Sequence, residues 1–256
     1  SGGLYGLAAM LMKIINELKP DYMAACYDRA EETFRKQVYK EYKGTRAKTD
    51  DALVAQMERS REIFAALHIP VYDHPSFEAD DIIGTIVEQV KNNPPAGGLK
   101  TIIASGDMDT LQLVDDDKVV VYTLKKGIND IILYDEKLVV ERFGFKPELL
   151  PDYKGLRGDP SDNIIGVPGI GDKTASELIQ KFGTVEQIYK KLEKNKLDGV
   201  RPRMVELLKE NEEEALFSKT LATIRRDAPI KFELPKEVWA KTYTPAAAEK
   251  IFTELE

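Results

Sequence analysis

The sequence contains almost none of the residues that form disulfides or histidine metal sites. Cys26 is the single cysteine, and His68 and His74 are the two histidines. A disulfide within the chain is therefore excluded, and the usual cysteine and histidine ligands of zinc are not available. Cys26 lies in an apolar stretch, which favours a buried structural thiol.

Long apolar runs are also missing. No stretch approaches the roughly 18 consecutive apolar residues of a membrane span, and no charged and then apolar leader precedes the first predicted helix. With 256 residues, 43% of them hydrophobic, the chain is long enough to bury a substantial core. These features predict a soluble globular protein of the cytoplasm.

Positive charge is in short supply as well. The net charge is −7, which by itself disfavours a nucleic-acid partner because phosphates attract lysine and arginine. Eight of the acidic residues, however, fall into a few short clusters. Without those eight the net charge would be −7 + 8 = +1, so nucleic-acid binding would depend on local basic patches.

Helices and strands alternate in the first half of the chain. Hydrophobic periodicity predicts helix 4–18, strand 21–27, helix 50–67, extended 69–72, helix 79–92, strand 101–105 and a hairpin of strands 119–124 and 130–134. This order predicts an α/β fold with a mostly parallel sheet and helices on both faces.

Helices dominate after residue 135. They are predicted at 136–142, 147–156, 172–182, 185–192, 201–209 and 212–223, followed by an extended segment at 229–235 and a last helix at 245–255. We therefore predict an α/β core over residues 1–135 and a C-terminal helical subdomain over 136–256.

The eight clustered carboxylates stand at strand ends, at one helix start and in one loop. They are Asp28, Glu78, Asp80, Asp81, Asp107, Asp109, Asp159 and Asp162. Acids in a first helical turn often only complement the helix dipole, so residues 78–81 alone would indicate capping. Because ligands gather beyond the carboxyl ends of parallel strands, we expect all eight to meet in one cleft. Such a cleft needs cations between its carboxylates.

Oxygen ligands identify the metal that the cleft would hold. They suit Mg²⁺ or Mn²⁺ and not Zn²⁺. Eight acids exceed what one Mg²⁺ ion takes from protein, so we predict two ions, roughly 3.5 to 4 Å apart as in the usual two-metal site. A site of this kind suits hydrolysis or transfer at a phosphodiester.

Residues 35–48 form a basic stretch that interleaves lysines and arginines with Tyr39 and Tyr42. It offers both phosphate contacts and aromatic faces. Such a run is often only a solvated face, but this one directly follows the acidic strand end at Asp28. Cations beside a metal-bound phosphate can stabilise the charge that develops in a transition state.

A glycine turn, Gly166, Gly169 and Gly171 with Lys173 just beyond, separates two predicted helices. Glycines let the backbone approach a phosphate closely, and a helix start favours an anion. The arrangement matches the hairpin of helix-hairpin-helix DNA binders. Such modules hold the sugar-phosphate backbone without reading bases.

Together these motifs resemble a known family. Five segments, 42–46, 77–81, 105–109, 158–163 and 166–171, occur in the order and at the spacing of the structure-specific 5′ nucleases, or flap endonucleases. The sequence is most similar to the 5′-3′ exonuclease domain of bacterial DNA polymerase I, over nearly its whole length. The resemblance implies a PIN-like core and a Mg²⁺-dependent hydrolase acting at nicks, 5′ ends and 5′ flaps of branched DNA. Its products would carry 5′-phosphates, as in primer removal and repair.

The resemblance also implies roles for individual residues. Asp28, Glu78 and Asp80 would serve a first ion, Asp107, Asp109, Asp159 and Asp162 a second, with Asp81 close to both. Lys43 and Arg46 would contact the scissile phosphate from a helical arch at about residues 29–50, supported by Arg35 and Tyr42. A helix-hairpin-helix element at about 150–182, with Gly166, Gly169, Gly171 and Lys173, would grip the duplex and hold K⁺.

The sequence departs from the family pattern at its start. Family members begin with a strand that ends in a further metal-binding aspartate, and this sequence begins after it. One alternative is therefore a branched-DNA-binding module without catalysis. A third reading is a PIN-like ribonuclease, which the glycine hairpin and the helical C-terminal part disfavour. The resemblance further implies a monomer and, in the native chain, a following polymerase domain. Trp239 is predicted to be a packing residue.

Overall fold

The computed structural model describes residues 2–124, 130–244, 246 and 253. The turn of the predicted hairpin, residues 125–129, and most of the predicted last helix, 245–255, lie outside the described residues. The chain forms two compact units. Unit 1 comprises Ser1–Glu31, Ala47–Ile82 and Ala228–Glu256, and unit 2 comprises Glu32–Arg46 and Ile83–Asp227.

Helices and short strands make up both units. The helices are α1 (Gly2–Leu18), α2 (Phe34–Val38), α3 (Asp51–Ala66), α4 (Ala79–Asn92), α5 (Glu136–Phe143), α6 (Leu150–Arg157), α7 (Asp172–Phe182), α8 (Val185–Glu193), α9 (Pro202–Glu210), α10 (Glu212–Ala222) and α11 (Trp239–Thr242). The strands are β1 (Ala25–Cys26), β2 (Val71–Tyr72), β3 (Thr101–Ala104), β4 (Val119–Leu124) and β5 (Ile131–Tyr134). Short 3₁₀ helices lie at Met108–Leu113 and Pro147–Leu149.

Unit 1 buries one apolar cluster between α1 and α3. Leu4, Ile63 and Leu67 are almost fully buried there. Trp239 joins the same cluster, and its indole N–H donates to the carbonyl of Leu67 at 2.7 Å. Burying each large side chain of this kind contributes about 1.5–3 kcal/mol. Trp239 is therefore a packing residue, as predicted.

The strands of unit 1 are shorter than the sequence predicts. β1 and β2 pair in parallel, with Ala25 opposite Val71, but each has two residues where 21–27 and 69–72 were expected to be extended. One reason is that the carbonyl of Asp21 accepts a hydrogen bond from the main-chain N–H of Trp239. The Asp21 carbonyl therefore bonds to the first residue of α11 and does not pair with a neighbouring strand.

Unit 2 contains the second sheet. β3 pairs in parallel with β4, and β4 pairs antiparallel with β5, with Val121 opposite Tyr134. Valine and isoleucine dominate these strands and suit a pleated, buried surface. The fold class is confirmed as α/β with small parallel pairings and many helices. The described strands form two small sheets, however, and not the one largely parallel sheet that we expected.

The helices of unit 2 follow the predicted boundaries within about three residues. α6 and α10 approach closely because Gly155 lacks a side chain: a Cβ there would lie 2.9 Å from the carbonyl oxygen of Ala215. Leu156 and Ser218 are fully buried in this contact. In the predicted arch, about residues 29–50, regular helix is limited to α2, which turns follow. Within the described part of the chain, no helix combines the length and the apolar character that crossing a membrane requires.

Candidate active site

The predicted acids of unit 1 gather at the first turn of α4. Asp28 follows β1, and its Oδ1 accepts a hydrogen bond from the main-chain N–H of Ala79 at 2.7 Å. Asp81 reaches back in the same way, because its Oδ2 accepts from the N–H of Glu78 at 3.0 Å. These N–H groups are left without partners inside a helix, so carboxylates are a natural cap for them. The strand end and the helix start are thus tied together.

Asp80 lies on the same turn, next to β1. Burial first, and then the nearby carboxylate of Asp80, raise the pKa of the Cys26 thiol to about 12. The thiol is therefore neutral at physiological pH and is not a thiolate ligand or nucleophile. Asp81 is fully buried, whereas Asp28 is exposed. Unit 1 therefore places Asp28 at the first turn of α4, the turn that carries Asp80 and Asp81 and follows Glu78.

In unit 2 the strand β3 leads into Asp107, which caps the following 3₁₀ helix. Its side chain accepts from the N–H of Asp109 at 2.9 Å, and its own N–H donates to the Ser105 hydroxyl at 3.0 Å. The carbonyl of Asp107 accepts from the Thr110 hydroxyl at 2.6 Å. These local bonds fix the two aspartates at the end of the strand, where the sequence placed them.

The second acidic loop approaches Asp109 through a lysine. The ammonium of Lys154, on α6, contacts a carboxylate oxygen of Asp109 and lies 2.5 Å from Oδ2 of Asp159. The other oxygen of Asp159 accepts from the N–H and the hydroxyl of Ser161, at 2.9 and 2.6 Å. Asp109 and Asp159 are therefore neighbours on one cation.

Burial and charge act in opposite directions on these groups. Burial raises the pKa of Asp109 despite the nearby Lys154. For Asp159, burial also works upward, but the Lys154 charge and the hydrogen bonds from Lys154 and Ser161 outweigh it and lower the pKa. For Lys154, burial works downward, but the two carboxylates raise the pKa. The ammonium therefore stays charged.

Asp162 joins the acidic loop to the basic stretch. Its Oδ1 lies 2.5 Å from a guanidinium nitrogen of Arg46, and its Oδ2 lies 4.0 Å from the ammonium of Lys43. The hydroxyl of Tyr42 donates to Oδ2 at 3.1 Å. The main chain adds further contacts, because the N–H of Lys43 donates to the Asp162 carbonyl at 2.8 Å. Lys43 and Arg46, the two predicted catalytic cations, thus both approach the carboxylate of Asp162, a predicted metal ligand.

The backbone at Lys43 is unusual. Lys43 has a φ of +52°, in the left-handed region that residues other than glycine rarely adopt. Such conformations cost about 1–3 kcal/mol and concentrate at functional sites. The left-handed turn belongs to the same segment that carries the Lys43 ammonium to the acidic loop.

Arg35, predicted to support DNA binding, lies inside unit 2. Its side chain is 3% exposed, and its guanidinium donates to the carbonyls of Leu221 and Thr223 at 2.8 and 2.7 Å. It therefore anchors α2 to the end of α10. Tyr42 is similarly buried, at 4% exposure. The structure thus gives both residues supporting contacts beneath the basic stretch.

The glycine turn divides into a buried and an exposed part. Gly166 has a φ of +67°, and a Cβ there would lie 2.2 Å from the main-chain nitrogen of Gly158. Gly169 and Gly171 are exposed, and a Cβ at Gly171 would meet open space. Lys173 follows them on α7 with a side chain that is 90% exposed. The exposed part therefore presents the N-terminus of α7 on the surface of unit 2.

The eight predicted metal ligands are divided equally between the two units. Unit 1 holds Asp28, Glu78, Asp80 and Asp81, and unit 2 holds Asp107, Asp109, Asp159 and Asp162. Their meeting in one cleft stays a prediction. In the described parts of the chain, no three side chains of His, Cys, Asp or Glu are grouped closely enough to hold a metal ion. The pair Asp109 and Asp159 nevertheless fits a cation, because both already contact the Lys154 ammonium.

A cavity of about 170 Å³ lies elsewhere in unit 2. It is lined by Glu186, Tyr189, Lys190, Glu193, Glu212 and Leu216, which include none of the predicted site residues. The Tyr189 hydroxyl is buried and has no hydrogen-bond partner among the described residues. Burial and the Glu212 carboxylate raise the pKa of this hydroxyl, so the phenol is neutral.

Sequence reasoning missed Lys154 as a site residue. The available signal was its position on a predicted helix five residues before Asp159, with the turn at Gly158 between them. Gly158 has a φ of +79°, which reverses the chain and lets the loop fold back along the helix. A lysine at that distance from an acidic loop is too common a pattern to identify a contact from sequence alone.

Comparison with known proteins shows the family of the chain. Residues 1–144 match the family model of the 5′-3′ exonuclease N-terminal resolvase-like domain, and residues 145–244 match that of the 5′-3′ exonuclease C-terminal SAM fold. The chain belongs to the 5′-3′ exonuclease family. A nuclease is thereby favoured over a DNA-binding module without catalysis. The predicted domain boundary at residue 135 lies close to the junction of the two models but stays a prediction.

The relatives include several bacterial polymerases. The chain is 42% identical to DNA polymerase I of Bacillus caldotenax over 234 residues, which cover 91% of the chain and 26% of that protein. It is 34% identical to DNA polymerase I of Mycobacterium tuberculosis strain H37Rv over 256 residues, or 100% of the chain and 27% of that protein. The chain thus spans about a quarter of the length of these relatives.

Solved structures share the fold. One is the 5′-exonuclease of bacteriophage T5 with bound zinc ions, which is 23% identical with a TM-score of 0.68 and covers 86% of this chain and 80% of that chain. Another is a flap endonuclease of bacteriophage T5 in a complex with DNA and metal ions, 22% identical with a TM-score of 0.67 over the same shares. At these identities the likeness establishes the fold alone.

Proposed function

We propose that the chain is a divalent-metal-dependent 5′-3′ exonuclease and 5′-flap endonuclease that hydrolyses DNA phosphodiesters and leaves 5′-phosphates. The observation that carries the proposal is the placement of Lys43 and Arg46 on Asp162. Cations held against a carboxylate of an acidic loop are well placed to receive a phosphate when that loop binds metal. Family membership supplies the reaction class.

The proposed roles follow the two acidic groups. Asp107, Asp109, Asp159 and Asp162 of unit 2 would hold one Mg²⁺ or Mn²⁺ ion, and Asp28, Glu78 and Asp80 of unit 1 would hold the other. When bound, such ions activate water and stabilise negative charge on the phosphate oxygens. Lys43 and Arg46 would bind the scissile phosphate and orient it for in-line attack, since fixed cations stabilise developing charge at little reorganisation cost.

The glycine turn would bind the duplex part of the DNA and would take no part in the cleavage reaction. Gly169 and Gly171 leave main-chain atoms open at the start of α7, and Lys173 adds an exposed cation. Helix starts attract phosphates, so a helix-hairpin-helix role is supported by this surface. By the family resemblance, the carbonyls of the turn would hold K⁺. Arg35 and Tyr42 would act indirectly, by holding the basic stretch in place.

The proposed partners are DNA molecules with nicks, 5′ flaps or other branched ends. Because the relatives are DNA polymerases four times as long, we propose that the native chain continues into a polymerase domain and works in DNA replication and repair. The nuclease would act as a monomer in the cytoplasm. Binding to backbone and shape, without base contacts, predicts little sequence preference.

Cleavage of an end-labelled 5′-flap DNA tests the proposal. With Mg²⁺ we expect short 5′-phosphorylated products, and with EDTA none. Binding of the flap without product in Mg²⁺ would instead support the non-catalytic module. Faster cleavage of an RNA hairpin than of the DNA flap would support the PIN-like ribonuclease.

Two variants test the assigned residues. Lys43→Ala and Asp107→Ala should each abolish flap cleavage while circular dichroism and thermal unfolding show an intact fold. Lys40→Ala is the matched control, because Lys40 is an exposed cation three residues from Lys43 and has no proposed role. Wild-type turnover by either of the first two variants would reject the assigned role.

A further inference from the structure

Lys154 forms the most enclosed cation contact of the acidic loop. Its side chain is 12% exposed, and those of its two partners, Asp109 and Asp159, are 20% and 9% exposed. The lysine comes from α6, Asp109 from the 3₁₀ helix after β3, and Asp159 from the loop after α6. One ammonium thus joins three separate pieces of unit 2.

This contact is needed for electrostatic reasons. Two carboxylates that share a poorly solvated place repel one another unless a cation lies between them. Removing one partner of a buried ion pair is costly because it leaves the other charge uncompensated. Lys154 therefore supplies the positive charge that holds the carboxylates of Asp109 and Asp159 side by side.

A divalent ion would need the same oxygen atoms. Asp109 and Asp159 both belong to the set proposed above for one ion, and a carboxylate oxygen in direct contact with an ammonium has less capacity for a metal. Two cations at one oxygen pair also repel each other strongly at short distance and low dielectric. Simultaneous binding of the Lys154 ammonium and a divalent ion to the Asp109 and Asp159 oxygens is therefore unfavourable.

We infer that Lys154 is a displaceable counterion: its ammonium competes with the divalent ion for Asp109 and Asp159 and moves aside when the ion binds. The inference rests on the proposed metal-dependent function. Lys154 is then a positioning residue. It holds the two carboxylates in place at low metal concentration and raises the concentration at which the site fills.

The chain contains a matched control in Lys219. Its ammonium also joins two carboxylates of unit 2, lying 2.6 Å from Asp152 and 2.7 Å from Glu186, and its side chain is 21% exposed. Neither carboxylate is a proposed metal ligand. Loss of the Lys219 charge therefore removes an ion-pair triad of the same kind without touching the candidate site.

Mn²⁺ binding, measured at pH 8 by electron paramagnetic resonance, provides the first test. Lys154→Met keeps an unbranched apolar side chain and removes the competing charge, so we expect Mn²⁺ to bind more tightly, on the order of tenfold. Lys219→Met should bind Mn²⁺ as the wild type does. Equal or weaker Mn²⁺ binding by Lys154→Met would overturn the inference.

Amine labelling of the wild-type protein provides a second test that does not depend on a variant folding. Acetylation of Lys154, followed by mass spectrometry, should increase when Mn²⁺ is added, while acetylation of Lys219 should not. Unchanged labelling of Lys154 in protein that binds Mn²⁺ would also overturn the inference.

These measurements separate the two proposals. If the wild type cleaves a 5′ flap and binds Mn²⁺ but Lys154 neither changes its labelling nor affects affinity, the counterion role fails and the proposed function stands. If the wild type binds no Mn²⁺ and cleaves no flap, both fail.

Discussion

The hydroxyl of Tyr42 donates a hydrogen bond to Oδ2 of Asp162 at 3.1 Å, across 120 positions of sequence. This bond closes the basic stretch onto the acidic loop and leaves the other oxygen of Asp162 to Arg46. Both the tyrosine and the aspartate are buried. A neutral donor thereby fixes a carboxylate that two cations also approach.

Removal of this hydroxyl should loosen the basic stretch. Tyr42→Phe deletes one hydrogen bond to a charged group, which costs about 1.5–3 kcal/mol. We expect that loss in urea unfolding, together with a lower rate of flap cleavage. Tyr39→Phe is the control, since the Tyr39 ring packs edge-on against Phe217 and the substitution keeps that ring. Equal stability of the Tyr42 and Tyr39 variants would contradict the prediction.

Lys43 allows strain to be separated from charge. Glycine adopts a φ of +52° without steric cost, whereas alanine is strained there. Lys43→Gly should therefore be more stable than Lys43→Ala by about 1 kcal/mol. Both variants lose the ammonium, and both should lose flap cleavage. If Lys43→Gly cleaved the flap and Lys43→Ala did not, cleavage would depend on the backbone conformation and the charge would not be required.

The two ends of the glycine turn should respond differently to a methyl group. Gly166→Ala forces a positive φ on alanine and places its Cβ against the backbone of Gly158, so we expect a loss of about 2–5 kcal/mol in the free energy of unfolding. Gly171→Ala meets open space in extended backbone and should change stability little. Thermal unfolding of the two variants side by side is the measurement. Equal melting temperatures would refute the assigned geometry.

Asp172, at the start of α7, should contribute to acid stability. A hydrogen bond from Tyr153 and the charge of Arg157 lower its pKa, against a smaller effect of burial. The folded pKa thus lies below the unfolded value, so the contribution is present above about pH 4 and is lost as pH falls through the folded pKa.

Asp172→Asn tests that contribution. It should reduce the difference in unfolding free energy between pH 7 and pH 3, by less than about 1 kcal/mol because the carboxylate is largely exposed. Asp198→Asn offers a comparison at a surface aspartate of unit 2. A larger loss for Asp172→Asn at pH 3 than at pH 7 would reverse the expected sign.

Tyr189 should tolerate the loss of its hydroxyl. Because this buried hydroxyl lacks a hydrogen-bond partner among the described residues, Tyr189→Phe should leave stability unchanged or raise it by up to about 1 kcal/mol. Tyr153→Phe is the matched variant: it deletes the 2.6 Å hydrogen bond to Asp172 and should be destabilising. A clear loss of stability in Tyr189→Phe would reveal a partner for the hydroxyl.

Patterns of local origin were readily predicted from the sequence. α4 and α7 occupy the predicted ranges because their apolar periodicity and start signals are contained within each segment. Asp107 was correctly placed just after a strand, since the β-branched residues Thr101, Ile102 and Ile103 form β3 and Asp107 follows its end by three residues. The glycine turn was also correctly placed between two helices.

Features that depend on distant contacts were not predicted. The carbonyl of Asp21, at the start of the predicted strand, accepts from the main-chain N–H of Trp239, and nothing near either residue encodes that bond. The burial of Arg35 depends on carbonyls at the end of α10, and a basic run reads alike whether its arginines face solvent or a helix end. Lys154 escaped notice for the same reason.

The position of Trp239 affects the design of expression fragments. The tryptophan lies more than 170 positions from the leucine whose carbonyl it binds, and the stretch that carries it belongs to the same compact unit as the first helix. An expression fragment ending at the junction between residues 144 and 145 would remove Trp239 from the apolar cluster of that unit. Such a fragment would expose apolar surface and should aggregate, so the ends of an expression fragment are better chosen from the compact unit than from the junction at residues 144 and 145.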